Sequence, residues 1–136
     1  MDWGERRIGL ALSDEGQLLA QPLTTLTRRA GKRFPMQQLL ALLRQHTVTG
    51  IVVGLALDAD GSEGEPARET RRLAQDVGRR ATLPVDLWDE RMTTARALQA
   101  VREMGGGTRG RREDVDALAA TVLLQHYLDA RRGSAT

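Results

Sequence analysis

The chain has 136 residues, of which 40% are hydrophobic and 28% charged, and its formal net charge is +2. This length suits one domain with a continuous core, and the composition excludes extensive disorder. The absence of cysteine and the presence of only two histidines exclude disulfide frameworks, thiol nucleophiles and histidine-based zinc sites.

The first half of the chain predicts a hairpin, a helix and a buried strand, in that order. Alternating apolar residues from 5 to 13, a turn at Gly16 and a second run from 18 to 26 predict a β-hairpin. Helical spacing follows from residue 34 to 43. The short apolar run 51–54 is typical of a buried parallel strand, so a crossover connection is expected.

The second half predicts alternating helices and strands. Pro66 fits the first turn of a helix that runs to about residue 81, and residues 85–88 predict another short strand. Two threonines can cap a third helix, residues 93–104, which a run of glycines ends. A flexible basic loop, residues 105–112, then leads to a last helix over about 113–131 and a short tail, residues 133–136.

These elements predict a single α/β domain over residues 1–136. Its mixed sheet has antiparallel opening strands, then parallel βα units, and helices on both faces. Ligands of such sheets bind at the carboxyl ends of the parallel strands. No apolar stretch reaches the ~20 residues that span a bilayer and no signal pattern is present, so we expect a cytoplasmic protein without membrane contact.

Asp116 is the acidic residue whose position is hardest to explain as ordinary surface. At about 100° per residue, the last helix places Asp116 between Leu123 and Tyr127, on the apolar face that also holds Ala120. A carboxylate there needs a compensating cation. A metal ion would meet that need; the alternatives are a salt bridge to an arginine and the interaction of a first-turn acid with the helix dipole.

Two further acidic positions lie where strands end or begin. Asp89 and Glu90 follow the strand 85–88, and because adjacent strand residues face opposite ways, only one of them can point into a site. A polar strand-to-helix turn is the alternative. Asp2 precedes the hairpin; an exposed terminal acid is the simpler explanation for it.

Together, Asp2, Asp116 and one of the pair Asp89 and Glu90 predict a site for a hard divalent cation. Carboxylates without nearby cysteine or histidine suit Mg²⁺ or Mn²⁺, which can hold a phosphate and generate a hydroxide. Nineteen of the twenty basic residues are arginine, which suits phosphate, although GC-rich coding would also raise the arginine content. The loop arginines immediately before the last helix would hold a polyanion over the acidic site; they are Arg109, Arg111 and Arg112.

Four motifs in order resemble the YqgF family, also called RuvX, whose members are described as Holliday junction resolvases and as pre-16S rRNA nucleases. They are Asp2-x-Gly4-x-x-Arg7-Ile8-Gly9, the loop Val53-Gly54 to Gly64, Asp89-Glu90-Arg91-x-Thr93-Thr94, and Val115-Asp116-x-x-Ala119-Ala120. The resemblance covers essentially the whole chain. It implies an RNase H-like fold and divalent-metal-dependent cleavage of structured nucleic acid, either pre-rRNA or branched DNA.

Carried over by position, the resemblance implies Asp2, Glu90 and Asp116 as catalytic metal ligands, with Asp89 as the alternative to Glu90. Phosphate contacts and structural glycines follow in the same way; they are Arg7, Arg91, Arg109, Arg111, Arg112 and Ser62, and Gly4, Gly9, Gly54, Gly61 and Gly64. Only Met1 precedes Asp2, so we expect a truncated first strand and a loosely held Asp2.

Two other functions are compatible with the sequence. One is a nucleic-acid-binding module without cleavage, in ribosome assembly or recombination. The other is a nucleotide phosphotransferase, because the opening aspartate–glycine pattern also occurs in sugar-kinase and actin-like ATPases, although 136 residues leave no room for their second lobe. Symmetric cleavage of a two-fold junction would require two active sites, and thus a homodimer.

Overall fold

The computed structural model describes residues 1–3, 7–28, 34–92 and 112–134. Within these ranges the strands are β1 (Asp2–Trp3), β2 (Arg7–Ser13), β3 (Ala20–Thr27), β4 (Ile51–Leu55) and β5 (Val85–Asp89). The α-helices are α1 (Met36–Gln45), α2 (Glu65–Ala81) and α3 (Arg112–Ser134), and a short 3-10 helix (Glu90–Met92) follows β5. The predicted helix 93–104 and nearly all of the predicted basic loop lie outside the described residues.

The strands form one antiparallel and one parallel set. The predicted hairpin is β2 paired with β3, from Arg7 opposite Thr27 to Ser13 opposite Ala20, and β1 pairs antiparallel with β2. The apolar run 51–54, predicted as a buried strand, and the predicted short strand 85–88 become β4 and β5, which pair in parallel. This combination confirms the predicted α/β class with its antiparallel opening and parallel βα units.

Met1 joins the two sets of strands. Its ammonium donates to the carbonyl oxygen of Val52 at 2.6 Å, and its own carbonyl oxygen accepts from the N–H of Gly54 at 2.9 Å. The segment that carries Asp2 is therefore hydrogen-bonded to β2 on one side and to β4 on the other. The expectation of a loosely held Asp2 is corrected, because backbone hydrogen bonds on both sides restrain this short segment.

Helices cover both faces of the strands. On one face, α1 and α2 pack against β2 and β4, and the shared core includes Leu39, Val53 and Val77. On the other face, α3 packs against β1, β2 and β3, burying the side chains of Ala120 and Leu123 completely. No helix in the described ranges is long and apolar enough to cross a bilayer.

Candidate active site

Two glycines let neighbouring elements approach the strands closely on the α3 side. A Cβ at Gly9 in β2 would lie 2.0 Å from the carbonyl oxygen of Asp116, which no side chain tolerates. A Cβ at Gly54 in β4 would lie 2.5 Å from Leu123 Cδ1 and 2.9 Å from Glu90 Oε1. Gly9 therefore allows the backbone of Asp116 to lie against β2, and Gly54 leaves space for the Glu90 carboxylate beside β4.

Asp2 lies between these two glycines. It is opposite Gly9 in the β1–β2 ladder, and the residue before it accepts the hydrogen bond from Gly54. Met1 and Trp3 pack against the core on the α1 and α2 side. Because successive strand residues face opposite ways, Asp2 faces α3, the side on which Glu90 and Asp116 also lie.

The charges of Asp2 and Glu90 affect the pKa of the Met1 ammonium. Burial lowers the pKa of this group to about 6, while the charges of Asp2 and Glu90 act in the opposite direction. Both carboxylates are therefore close enough to one point, at the join of β1 and β4, to influence its charge.

Asp116 has an arginine partner. The Nε atom of Arg7 donates to Oδ2 of Asp116 at 2.5 Å, and the two side chains are 32% and 30% exposed. The cation next to this helix acid is thus an arginine, as the salt-bridge alternative predicted. Only Nε of Arg7 donates to Asp116, and within the described residues the two terminal nitrogens of Arg7 make no hydrogen bond.

Asp89 and Glu90 point to different surroundings. The carboxylate of Asp89 accepts from Nε of Arg91 at 3.1 Å, from Nη2 at 2.8 Å and from the Arg91 backbone N–H at 3.0 Å. The Arg91 hydrogen bonds hold the pKa of Asp89 below its usual value. Glu90 instead lies beside Gly54, on the face where Trp88 meets Tyr127 of α3.

The loop between β4 and α2 is ordered by its own polar groups. Ser62 donates to Oδ1 of Asp60 from its hydroxyl at 2.6 Å and from its backbone N–H at 2.9 Å. Gly61 has a φ of +90°, which favours glycine, and Gly64 is the N-cap residue of α2. Ser62, predicted to contact nucleic acid, is thus engaged within its own loop.

The donor set fits a hard divalent cation in its chemistry, because Asp2, Glu90 and Asp116 offer only carboxylate oxygens. Among the described residues, however, no three acidic or histidine side chains are already grouped around one metal position. Arg7 engages one oxygen of Asp116. Metal binding would therefore use the other oxygen of Asp116 or displace Arg7.

Several predicted site residues cannot be placed. Gly4, Arg109 and Arg111 lie outside the described residues, and Arg112 is described only as the first residue of α3.

The sequence reasoning also missed two contacts, the pairing of Arg7 with Asp116 and the hydrogen bond from Tyr127 to Asp86 at 2.5 Å. The apolar-face position of Asp116 signalled that a cation was needed but not which one.

Comparison with known protein families gives the decisive observation. Residues 1–130 match the family model described as "RuvX: Holliday junction resolvase". The chain belongs to the RuvX family. The resemblance inferred from the four motifs is confirmed, and with it membership of a family of nucleases that act on nucleic acid.

Similar proteins agree with this assignment. A protein from Anaeromyxobacter sp. (strain Fw109-5), named "Putative pre-16S rRNA nuclease", is 43% identical over 131 residues, which cover 96% of this chain and 95% of that protein. The Thermus thermophilus RuvC structure has 17% identity and a TM-score of 0.59, covering 97% of this chain and 93% of RuvC.

A second T. thermophilus RuvC structure, in complex with a Holliday junction substrate, has 19% identity and a TM-score of 0.56 over 98% of this chain and 94% of that one. At such identities the likeness concerns the fold alone, and it confirms the RNase H-like architecture.

Proposed function

We propose that the protein is a divalent-metal-dependent endonuclease that hydrolyses phosphodiester bonds in structured nucleic acid. The observation that supports this proposal is that Asp2, Glu90 and Asp116 lie on the same side of the strands, the α3 side, near Gly9 and Gly54. Family membership supports the same reaction class. Residues 1–136 would form a single catalytic domain.

Asp2, Glu90 and Asp116 would hold Mg²⁺ or Mn²⁺. When bound, the metal supplies Lewis-acid stabilisation of phosphate charge and a more acidic water. Glu90 is the preferred ligand over Asp89, because its carboxylate lies beside Gly54 while that of Asp89 is hydrogen-bonded to Arg91. Because Gly9 has no side chain, the backbone of Asp116 lies directly against β2. This close packing limits how far Asp116 would have to move to bind metal.

Arg7 would hold a backbone phosphate next to this site. Its terminal nitrogens can donate hydrogen bonds to a phosphate while Nε stays on Asp116, or the whole side chain can move to the phosphate once a metal neutralises the carboxylates. The arginines at 109, 111 and 112, with Ser62, would extend this contact along the nucleic acid.

The substrate we propose is structured RNA, with the 16S rRNA precursor as the physiological case, because a relative of nearly the same length is named as a pre-16S rRNA nuclease. Branched DNA is the second candidate, supported by the description of the family model. Cleavage of a two-fold junction would require a homodimer. Either substrate would place the protein in the cytoplasm.

A cleavage assay on matched substrates tests this proposal. A structured RNA that contains the ends of the 16S precursor and a four-way DNA junction are incubated separately with the protein in Mn²⁺, Mg²⁺ or a chelator. We expect site-specific products from the RNA in the presence of metal only. Products from the junction alone would move the assignment to branched DNA, and the absence of metal-dependent products from both would overturn the nuclease proposal.

A binding module without cleavage is the second candidate, favoured by the Arg7–Asp116 ion pair and by the lack of a pre-arranged metal cluster among the described residues. In that case both substrates would bind with a strong salt dependence and stay intact at every metal concentration. The same assay therefore separates the two candidates.

A further inference from the structure

The side chains of Asp89 and Arg91 form a bidentate ion pair, here called the Asp89–Arg91 clamp. Four hydrogen bonds from the side chain and backbone of Arg91 reach the Asp89 carboxylate, at 2.8 to 3.1 Å. Asp89 and Arg91 are the residues immediately before and after Glu90. The paired geometry therefore fixes the backbone of the 3-10 turn in which Glu90 lies.

The clamp also contacts the loop before α2. Nη1 of Arg91 lies 3.5 Å from the carbonyl oxygen of Ala59. A Cβ at Gly61 would lie 3.4 Å from both terminal nitrogens of Arg91, so the glycine leaves space for the guanidinium against the loop. Arg91 thus connects the carboxyl end of β5 with the loop that follows β4.

Glu90, which lies between the two residues of the clamp in sequence, contacts β4. Its Oε1 would lie 2.9 Å, and its Cγ 3.3 Å, from a Cβ at Gly54, so the side chain rests directly against the backbone of β4. The end of β5 is therefore restrained on one side by Arg91 and on the other by the contact of Glu90 with β4.

We propose that Asp89 and Arg91 are positioning residues that hold Glu90 in its metal-binding orientation, and that Arg91 is not a phosphate contact. This inference rests on the proposed function, because it assumes that Glu90 is a metal ligand. It replaces the sequence-based role of Arg91 with one that uses the hydrogen bonds its guanidinium already makes. Residues that orient a metal ligand typically change metal affinity by about 10- to 100-fold when they are removed.

The test measures Mn²⁺ affinity by calorimetry in the absence of nucleic acid, so that catalysis is not needed. The variants are Arg91→Lys, which keeps the charge and loses the bidentate geometry, Glu90→Gln, and the double variant. Arg79→Lys is the matched control, since Arg79 also pairs with an aspartate, Asp76, and lies on the exposed surface of α2. The melting temperature of each variant shows that it is folded.

We expect Arg91→Lys and Glu90→Gln each to weaken Mn²⁺ binding by about 10-fold or more, with no further loss in the double variant, because Arg91 acts through Glu90. Arg79→Lys should leave Mn²⁺ affinity unchanged. In parallel, the dissociation constant for structured RNA in chelator, and its salt dependence, should be the same for Arg91→Gln, which removes the charge, and the unmodified protein; a salt slope lowered by about 1 in Arg91→Gln would show that Arg91 contacts phosphate and reject that part of the proposal.

The other possible results reject either the clamp alone or the clamp together with the proposed metal site. Weaker Mn²⁺ binding in Glu90→Gln but not in Arg91→Lys, or additive losses in the double variant, would reject the clamp and leave the proposed function intact. Tighter Mn²⁺ binding in Arg91→Lys would mean that Asp89 is the metal ligand and that Arg91 blocks it. That result would also reject the positioning role of the clamp. Unchanged Mn²⁺ affinity in Glu90→Gln would reject the proposed metal site and the clamp together.

Discussion

Arg7 and Asp116 are 109 positions apart in sequence, and Nε of Arg7 donates to Oδ2 of Asp116 at 2.5 Å. The pair connects the first strand of the hairpin with the first turns of α3, beside the close approach at Gly9. One residue of the pair is a proposed metal ligand and the other a proposed phosphate contact. The two proposed binding functions therefore meet in a single ion pair.

Replacing Arg7 with glutamine should weaken nucleic-acid binding more than it weakens folding. The pair is about one-third exposed, so its loss should cost only about 1 kcal/mol of unfolding free energy. Loss of one phosphate contact should lower the slope of log K against log salt concentration by about 1. Fluorescence anisotropy with structured RNA in chelator, at several salt concentrations, measures this slope.

Arg79→Gln is the control for that experiment, because it removes an arginine that is paired with Asp76 on α2, away from the three carboxylates. Its salt slope should match that of the unmodified protein. An unchanged slope in Arg7→Gln would show that Arg7 serves only to neutralise Asp116.

Gly9→Ala should disrupt the docking of α3 on β2. The added Cβ would lie 2.0 Å from a backbone oxygen and 2.5 Å from a backbone carbon of Asp116, and neither atom can rotate away. Such overpacking costs about 1–3 kcal/mol or more of unfolding free energy. Urea denaturation measures the change, and Gly16→Ala, whose Cβ would have no neighbour closer than 3.8 Å, should be nearly neutral. Equal stabilities of the two variants would contradict the observed α3 docking.

Gly54→Ala should reduce metal-dependent activity by displacing Glu90. The new Cβ would lie 2.9 Å from Glu90 Oε1, which can move, and 2.5 Å from Leu123 Cδ1, which must repack. We expect a loss of about 10-fold or more in cleavage rate, since misplacing a catalytic group by a small distance costs this much or more. Single-turnover kinetics measure the rate.

Gly50→Ala provides the comparison for Gly54→Ala, because its Cβ would lie 3.8 Å from Pro84 Cγ, an ordinary contact just before β4. It should cleave at the rate of the unmodified protein. If Gly54→Ala retains full activity while remaining folded, Glu90 does not need its place beside β4.

The sequence predicts the fold well where apolar patterns are strong. The uninterrupted apolar run at β4 and the alternation in β2 predicted the two kinds of strand pairing that are observed. Helical spacing placed Asp116 on the buried side of α3, where it is 30% exposed as a side chain. These features depend on local periodicity, which one sequence displays directly.

The partner of Asp116 could not be predicted in the same way. Nineteen arginines compete for it, and the choice of Arg7 depends on how α3 docks on β2, a contact between distant segments. The alternation rule also left Asp89 and Glu90 unresolved. Glu90 starts a 3-10 helix, so strand geometry ends at Asp89 and the direction of the next side chain depends on the turn.

Tyr127 should titrate above its ordinary pKa of 10.0, because burial raises the pKa and its hydrogen bond to Asp86 raises it further. A raised pKa in the folded state means that this group's contribution to stability is complete below pH about 10 and is lost as pH rises through the folded value. Tyr127 is the only tyrosine, so phenolate absorbance reports it alone.

The absorbance midpoint should therefore be higher in the folded protein than in urea, and Asp86→Asn should bring the folded midpoint down. A folded midpoint at or below that of the unfolded chain would show that the Tyr127–Asp86 hydrogen bond does not form.

The most direct test of the proposed metal site compares Asp116→Asn with Asp129→Asn, two substitutions of the same kind on α3. The side chain of Asp129 is 50% exposed and pairs with Arg132, about 20 Å along the helix from Asp116. Single-turnover cleavage of structured RNA is measured across a Mn²⁺ titration, with RNA binding in chelator measured alongside. We expect Asp116→Asn to abolish cleavage and keep RNA binding, while Asp129→Asn cleaves normally. Equal Mn²⁺-dependent cleavage by both variants would contradict the proposed metal site.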